Sequence, residues 1–152
     1  MVNHTKDTSL YDQDYQAWLE QTADQLAQSQ WSKIDLPNLI EEIRDMGKSQ
    51  RQALGSNLIV ILLHLLKYKY QPTHRSNSWL ATIVEHRLRV KRQLIESPSL
   101  KPYLVTIFND CYEDGRVRSQ VETGLPIDTF PLDSPFTIEE VLNIDYLPNA
   151  GG

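Results

Sequence analysis

His64 stands in the most apolar run of the chain, LIVILLHLLKYKYQPTHR, and its imidazole is the side chain there best suited to chemistry. In an antiparallel bundle it would face Cys111 and Asp114 of a later helix, and a His, Cys and carboxylate cluster suits a borderline-soft metal ion. The sequence has neither the Glu-x-x-His pair of di-iron bundles nor a His-Glu-x-x-His motif. We therefore interpret His64 first as a half-buried structural residue. A metal-binding or hydrolytic bundle using His64 and Asp114 is an alternative.

A basic and aromatic cluster follows, and with His64 it forms the predicted ligand-binding set. Its members are Lys67, Tyr68, His74, Arg75 and Trp79. Such residues can hold an anionic ligand or stack an aromatic one. They also suit an ordinary helix end, where lysines offset the carbonyl end of the helix dipole. We favour the helix-end interpretation and keep weak nucleic-acid or anionic-ligand binding through residues 67–75 as an alternative.

Carboxylates cluster in LIEEIRDMGK, where Glu41, Glu42 and Asp45 lie off the apolar stripe. A solvated acidic face with local basic partners is the ordinary interpretation. The sharper hypothesis is an interaction surface for a basic partner, or a weak divalent-cation site.

The segment EHRLRVKRQ is the densest run of basic residues, and it places Arg87 and Lys91 in the middle of an apolar stripe. Cations there need snorkelling or pairing, so we expect buried ion pairs with Glu113 and Asp114 of the next helix. Too few cations remain on the outer face to follow a phosphate backbone, which argues against nucleic-acid binding. No catalytic signature is found elsewhere, and no cofactor is implied.

Composition indicates an ordinary globular chain. The 152 residues, 40% hydrophobic and 23% charged with net charge −5, suit one domain spanning 1–152, and the net charge disfavours duplex nucleic acid. A single cysteine fits a reducing cytoplasm, and no apolar stretch approaches the ~20 residues that span a bilayer.

Apolar spacing of three and four residues in four blocks predicts an all-α fold, a four-helix up-down bundle. We expect a first helix from about Leu10 to Ser29, a second that stays in phase through Gly47 to Pro72, a third from Ser76, and a fourth from Ser99 to Gly124. Residues 1–8 are expected to be a flexible tail. Residues 125–152 are expected to wrap over the bundle as an extended segment with one short terminal helix, which the Thr137 and Glu140 capping box would begin.

The second helix is apolar nearly all round beyond Asn57. Its extra face carries Ile59, Val60, Leu63 and Leu66. An all-round apolar helix is buried, so this face must be central, covered by the C-terminal segment, or covered by a second subunit. The last possibility predicts a homodimer.

Several long motifs resemble one family, the bacterial and mainly cyanobacterial helical family called domain of unknown function twenty-nine. They include DYQAWLEQTADQL (14–26), IDLPNLIEEIRDMGKSQRQAL (34–54), LLHLLKYKYQP (62–72), SNSWLATI (76–83), SPSL (97–100), YEDGRVRSQVETGLP (112–126) and FPLDSPFTIEEVL (130–142). The resemblance implies a one-domain helical bundle in the cytoplasm, with many paralogues and no established reaction. Gly115 departs from the alanine expected there. We therefore predict a non-enzymatic protein-interaction or adaptor module with an unknown protein partner.

Overall fold

The structure is a computed structural model that describes residues 8–149, and it contains helices but no strand in that range. The described helices are α1 (Leu10–Gln13), α2 (Tyr15–Ala27), α3 (Leu36–Tyr70), α4 (Asn77–Glu96), α5 (Leu100–Thr123) and α6 (Ile138–Leu142). Short 3₁₀ turns occupy Trp31–Lys33, Pro72–His74 and Ile127–Thr129. The prediction of an all-α bundle is confirmed. The expected flexible tail, residues 1–8, lies outside the described residues except for Thr8.

Two compact units divide the chain, residues 1–48 and residues 49–152. The N-terminal unit holds α1, α2 and the beginning of α3. The C-terminal unit holds the rest of α3 together with α4, α5 and α6. Helix α3 is continuous through Gly47, a point that the sequence alone leaves open.

Local capping chemistry sets the helix ends. The single first helix that we expected is two helices, because the Asp14 side chain accepts a hydrogen bond from the Ala17 amide and begins α2 anew. Ser76 caps α4, and Thr137 and Glu140 form the predicted capping box of α6. Ser99 precedes α5 as expected but makes no side-chain cap hydrogen bond.

In the N-terminal unit, the rings of Tyr11, Tyr15 and Trp18 pack together, with the Tyr11 and Trp18 centroids 4.8 Å apart. Trp18 and Thr22 are buried. The beginning of the α3 stripe was predicted to face the core, yet Leu36 and Ile43 are exposed. Two short helices and one turn supply too little apolar surface to cover it.

The core of the C-terminal unit is centred on α3. Its fully buried α3 residues are Leu54, Leu58, Ile61, Leu62, Leu65 and Leu66. Leu63, on the extra apolar face, is also buried, and a Cβ added to Gly115 of α5 would lie 3.7 Å from the Ile59 carbonyl oxygen. Leu66 of this face is buried as well, whereas Ile59 and Val60 are partly exposed, so the chain itself covers most of the face and the homodimer expected through it stays a prediction.

The segment after α5 closes over this core, as predicted. Phe130, Phe136 and Val141 are buried in the core cluster, and the Phe130 ring meets the Tyr70 ring edge to face at 5.5 Å. We call residues 125–149 the C-terminal strap. Its apolar anchors sit between exposed residues, so burial of a few side chains holds a segment that has little helix of its own.

Candidate functional site

Two buried arginines bind the C-terminal strap by its backbone. Arg87 of α4 donates to the carbonyl oxygens of Val141 and Tyr146, both at 2.8 Å, and to that of Glu140 at 3.1 Å. Arg116 of α5 donates to the carbonyl oxygen of Phe130 at 3.0 Å. Charged donors thus satisfy strap carbonyls that burial removes from water.

This arrangement differs from the expected ion pairs of Arg87 and Lys91 with Glu113 and Asp114. Arg87 is buried, but its partners are carbonyl oxygens, while Lys91 is exposed and forms no ion pair with any described residue. Glu113 pairs with Arg116 at 3.6 Å. Carbonyl oxygens of the strap, rather than carboxylates of α5, therefore accept the hydrogen bonds of Arg87.

His64 is half buried, and its ring forms a helix-internal hydrogen bond. Nδ1 lies 2.8 Å from the Val60 carbonyl oxygen, so Nδ1–H is the donor and Nε2 carries the lone pair. Burial lowers the pKa of His64, and the nearby Lys67 ammonium adds to the effect. The acidic group in its electrostatic surroundings is Glu122, rather than the predicted Asp114.

The predicted metal set is not assembled. Cys111 is buried with its Sγ 3.7 Å from the Gly55 carbonyl oxygen, and burial raises the pKa of its thiol to about 11. Within residues 8–149, no three His, Cys, Asp or Glu side chains are grouped so that they could hold a metal ion.

The basic and aromatic cluster of residues 67–79 binds largely to itself. Lys67 Nζ lies 4.7 Å from the centre of the Trp79 ring and 3.2 Å from a Glu122 carboxylate oxygen. The Arg75 guanidinium covers the Tyr68 ring at 4.0 Å, and its Nε donates to the Tyr68 carbonyl oxygen. These cation–π contacts occupy ring faces that a ligand would need, which supports the helix-end interpretation.

A shallow cavity of about 300 Å³ remains beside this cluster. It is lined by Tyr68, Arg75, Ser76, Asn77 and Leu80. Neither His64 nor Trp79 lines it, and His74 instead lies 3.2 Å from the Thr73 hydroxyl. The predicted ligand-binding residues are therefore brought to one end of α3 but do not converge on one pocket.

The predicted acidic surface is divided in the N-terminal unit. Glu42 is half buried and accepts hydrogen bonds from the hydroxyls of Tyr11 and, at 2.6 Å, Tyr15. These bonds lower the pKa of Glu42 and raise that of Tyr11 to about 12. Glu41 and Asp45 remain exposed, so they alone can meet a partner.

Beside them lies an exposed apolar stripe on the first part of α3, which we call the α3 face. It consists of Leu36, Ile40 and Ile43, which are four and three residues apart and so share one side of the helix. Ile43 is 57% exposed. The spacing of apolar residues predicts this stripe but places it in the core. A stripe that binds a partner protein has the same spacing as one that packs within its own chain, so the sequence does not distinguish them.

A groove of about 410 Å³ opens in the C-terminal unit between α4, the start of α5 and the strap. Its lining residues are Arg87, Leu88, Val90, Lys91, Leu94, Ile95, Pro98, Lys101, Leu142 and Ile144. Sequence analysis missed it. One feature of the sequence does indicate the groove: α4 has more apolar residues than a single buried face requires, and Lys91 lies between them.

Comparison with known proteins identifies one family. Residues 10–147 match the profile of the family described as domain of unknown function DUF29. Searches of curated proteins and of solved structures gave no match. No helix among the described residues is long and apolar enough to cross a membrane.

Proposed function

The chain belongs to the DUF29 family, and we propose that it acts in the cytoplasm as a non-enzymatic protein-interaction module through the α3 face. The exposure of Leu36, Ile40 and Ile43 carries the proposal. Three large aliphatic side chains aligned on one side of a helix lose favourable burial while they face water. Contiguous exposed patches of this kind mark protein contacts.

The occupant that fits this face is a second copy of the chain, with its α3 helix antiparallel. The stripe of Leu36, Ile40 and Ile43 is entirely aliphatic, so it can pack against an identical stripe. A twofold axis perpendicular to α3 places the stripe of one copy along the stripe of the other, with the two helices antiparallel.

Light scattering on a sizing column, across micromolar concentrations, tests this contact. We expect the wild-type chain to dimerise and Ile43→Asp to be monomeric, because a buried unpaired carboxylate opposes association. Val121→Asp is the matched control, since Val121 is 78% exposed on α5 and outside the face. A monomeric wild-type chain at every concentration would exclude the second copy as partner.

The wider role is tested separately with a photo-reactive amino acid at Ile40 in the source cell. Crosslinks to a protein at Ile40 that are absent when the amino acid replaces Val121 support an interaction module. If neither position gives crosslinks above background, and the chain is also monomeric, the proposed function is wrong.

A further inference from the structure

We propose that the groove of the C-terminal unit binds an amphipathic carboxylate, whose alkyl chain lies along the apolar lining while its carboxylate binds between Lys91 and Lys101. This ligand site lies outside the α3 face and does not depend on the proposed function.

The groove has the size and character of a small-molecule site. Its volume of about 410 Å³ lies in the range of about 300–1,000 Å³ that is usual for such sites. Aliphatic side chains form both walls, Leu88, Leu94 and Ile95 from α4, and Leu142 and Ile144 from the strap. Ile95 is 68% exposed at the rim, where an alkyl chain would cover it.

The second wall is held in place before any ligand arrives. Arg87 lines the groove and binds the carbonyl oxygens of Glu140 and Val141, next to Leu142. The strap therefore keeps its place beside α4 without help from a ligand. Because the walls are already formed, less conformational entropy is lost when a ligand binds.

Charge selects an anionic ligand. Lys91 and Lys101 make no ion pair with any described residue, and the lining contains no Asp or Glu. The chain as a whole carries a net charge of −5, so this cationic lining runs against its overall charge. An anion placed here gains attraction from both ammonium groups without displacing a carboxylate already bound.

The chemistry of the lining also limits the ligand to one polar end. Arg87 is 3% exposed and donates three of its five N–H groups to strap carbonyls, whereas Lys91 and Lys101 make no ion pair with any described residue, so the lysines are the cations best placed to bind an anion. The remaining lining side chains are apolar, so further polar groups on a ligand would lose water without replacement. A free fatty-acid anion meets this pattern, whereas a nucleotide or a polar peptide does not.

Titration calorimetry with octanoate, decanoate and dodecanoate, each below its micelle concentration, tests the assignment. We expect one site, with the dissociation constant falling about fourfold for each added methylene until the groove is filled. Dodecyltrimethylammonium and dodecanol match the alkyl chain without the negative charge, and we expect each to bind at least tenfold more weakly than dodecanoate. The proposal would be overturned if the affinity did not depend on alkyl chain length, or if dodecyltrimethylammonium bound as tightly as dodecanoate.

Variants locate the site on the folded chain. Lys91→Met and Lys101→Met keep apolar stems but lose the charge, and each should weaken dodecanoate binding at least fivefold. Arg92→Met is the matched control on α4, since Arg92 does not line the groove. This variant should bind dodecanoate with the affinity of the wild-type chain. NMR shifts on titration should map to Ile95 and Ile144. Shifts confined to other residues, or binding to anionic vesicles without binding to free dodecanoate, would contradict the assignment.

Discussion

Arg87 and Val141 are 54 residues apart in the sequence, yet the guanidinium Nε of one donates to the carbonyl oxygen of the other at 2.8 Å. Two further donations, to Glu140 and Tyr146, use the other nitrogens of the same guanidinium. Arg87 is 3% exposed, so these bonds form away from water, where leaving a polar group unpaired is costly. One side chain therefore fixes the part of the strap that carries α6.

Replacing Arg87 with Met should destabilise the C-terminal unit by about 3 kcal/mol, because one buried and two partly buried hydrogen bonds to carbonyl oxygens are lost while the apolar volume is roughly kept. Urea unfolding followed by circular dichroism measures the change. Limited proteolysis should cut the strap sooner in the variant. Arg89→Met is the control, since Arg89 forms only an exposed pair with Glu85, which is worth about 0–1 kcal/mol. Equal losses in the two variants would contradict this role of Arg87.

Two glycines that face neighbouring helices should respond oppositely to alanine. A Cβ at Gly55 would meet Ile107 at 3.7 Å, an ordinary contact, so Gly55→Ala should gain about 0.5–1 kcal/mol of helix propensity. At Gly115 it would lie 3.3 Å from Leu62 Cβ, which cannot move without its helix. Gly115→Ala should therefore be at least about 1 kcal/mol less stable than Gly55→Ala. Thermal melts measure the order, and a more stable Gly115→Ala would contradict it.

His64 should make stability fall in mild acid. Burial lowers its pKa in the folded state below the ordinary value of 6.5, so the unfolded state binds the proton more readily. The stability contributed by neutral His64 is present above about pH 6.5 and is lost as the pH falls from there to the lowered folded pKa. Urea midpoints at pH 8 and pH 5.5 measure the loss. His64→Gln should reduce it, and an unchanged pH slope in that variant would contradict the assignment.

The pKa of Glu42 should depend on the two tyrosines that donate to it. Removing the Tyr11 hydroxyl with Tyr11→Phe should raise the Glu42 pKa towards its ordinary value, and Tyr15→Phe should have a smaller effect. Because the Glu42 pKa is depressed in the folded state, its contribution to stability is present above about pH 4.5 and is lost as the pH falls through the folded value. Carbon NMR titration of the carboxyl group measures both shifts. An unchanged pKa in Tyr11→Phe would show that the hydrogen bond is absent in solution.

Helix positions could be predicted from sequence because they depend on near neighbours. The cap at Ser76, the capping box at Thr137 and the stop at Gly124 each involve residues a few positions apart. The sequence predicts one continuous helix through Asp14. The residues around Asp14 suit either a continuous helix or a cap that begins a new helix, so their local pattern does not distinguish the two. The partners of Arg87 could not be predicted, since backbone carbonyls are present at every residue and carry no sequence signature.

The candidate sites were harder for a different reason. Leu36 and Leu58 obey the same helical period, and only the tertiary structure shows that one is exposed and the other buried. Likewise, the spacing on α4 predicts one apolar stripe around Arg87 and Lys91, but the structure buries Ile83 and Val90 and leaves Leu88 and Ile95 exposed. The spacing of apolar residues predicts that a helix has an apolar face. Whether another part of the chain covers that face depends on the whole fold.

Recognition of main-chain oxygen by Arg87 and Arg116 has an evolutionary consequence. A carbonyl is supplied by any amino acid, so substitutions at Glu140 or Tyr146 leave the acceptor for Arg87 in place. Related chains can therefore diversify the outward side chains of this stretch, including those that border the groove, without dislodging it. The strap therefore tolerates substitution at its outward positions, provided that the two guanidinium groups and the buried Phe130, Phe136 and Val141 are kept.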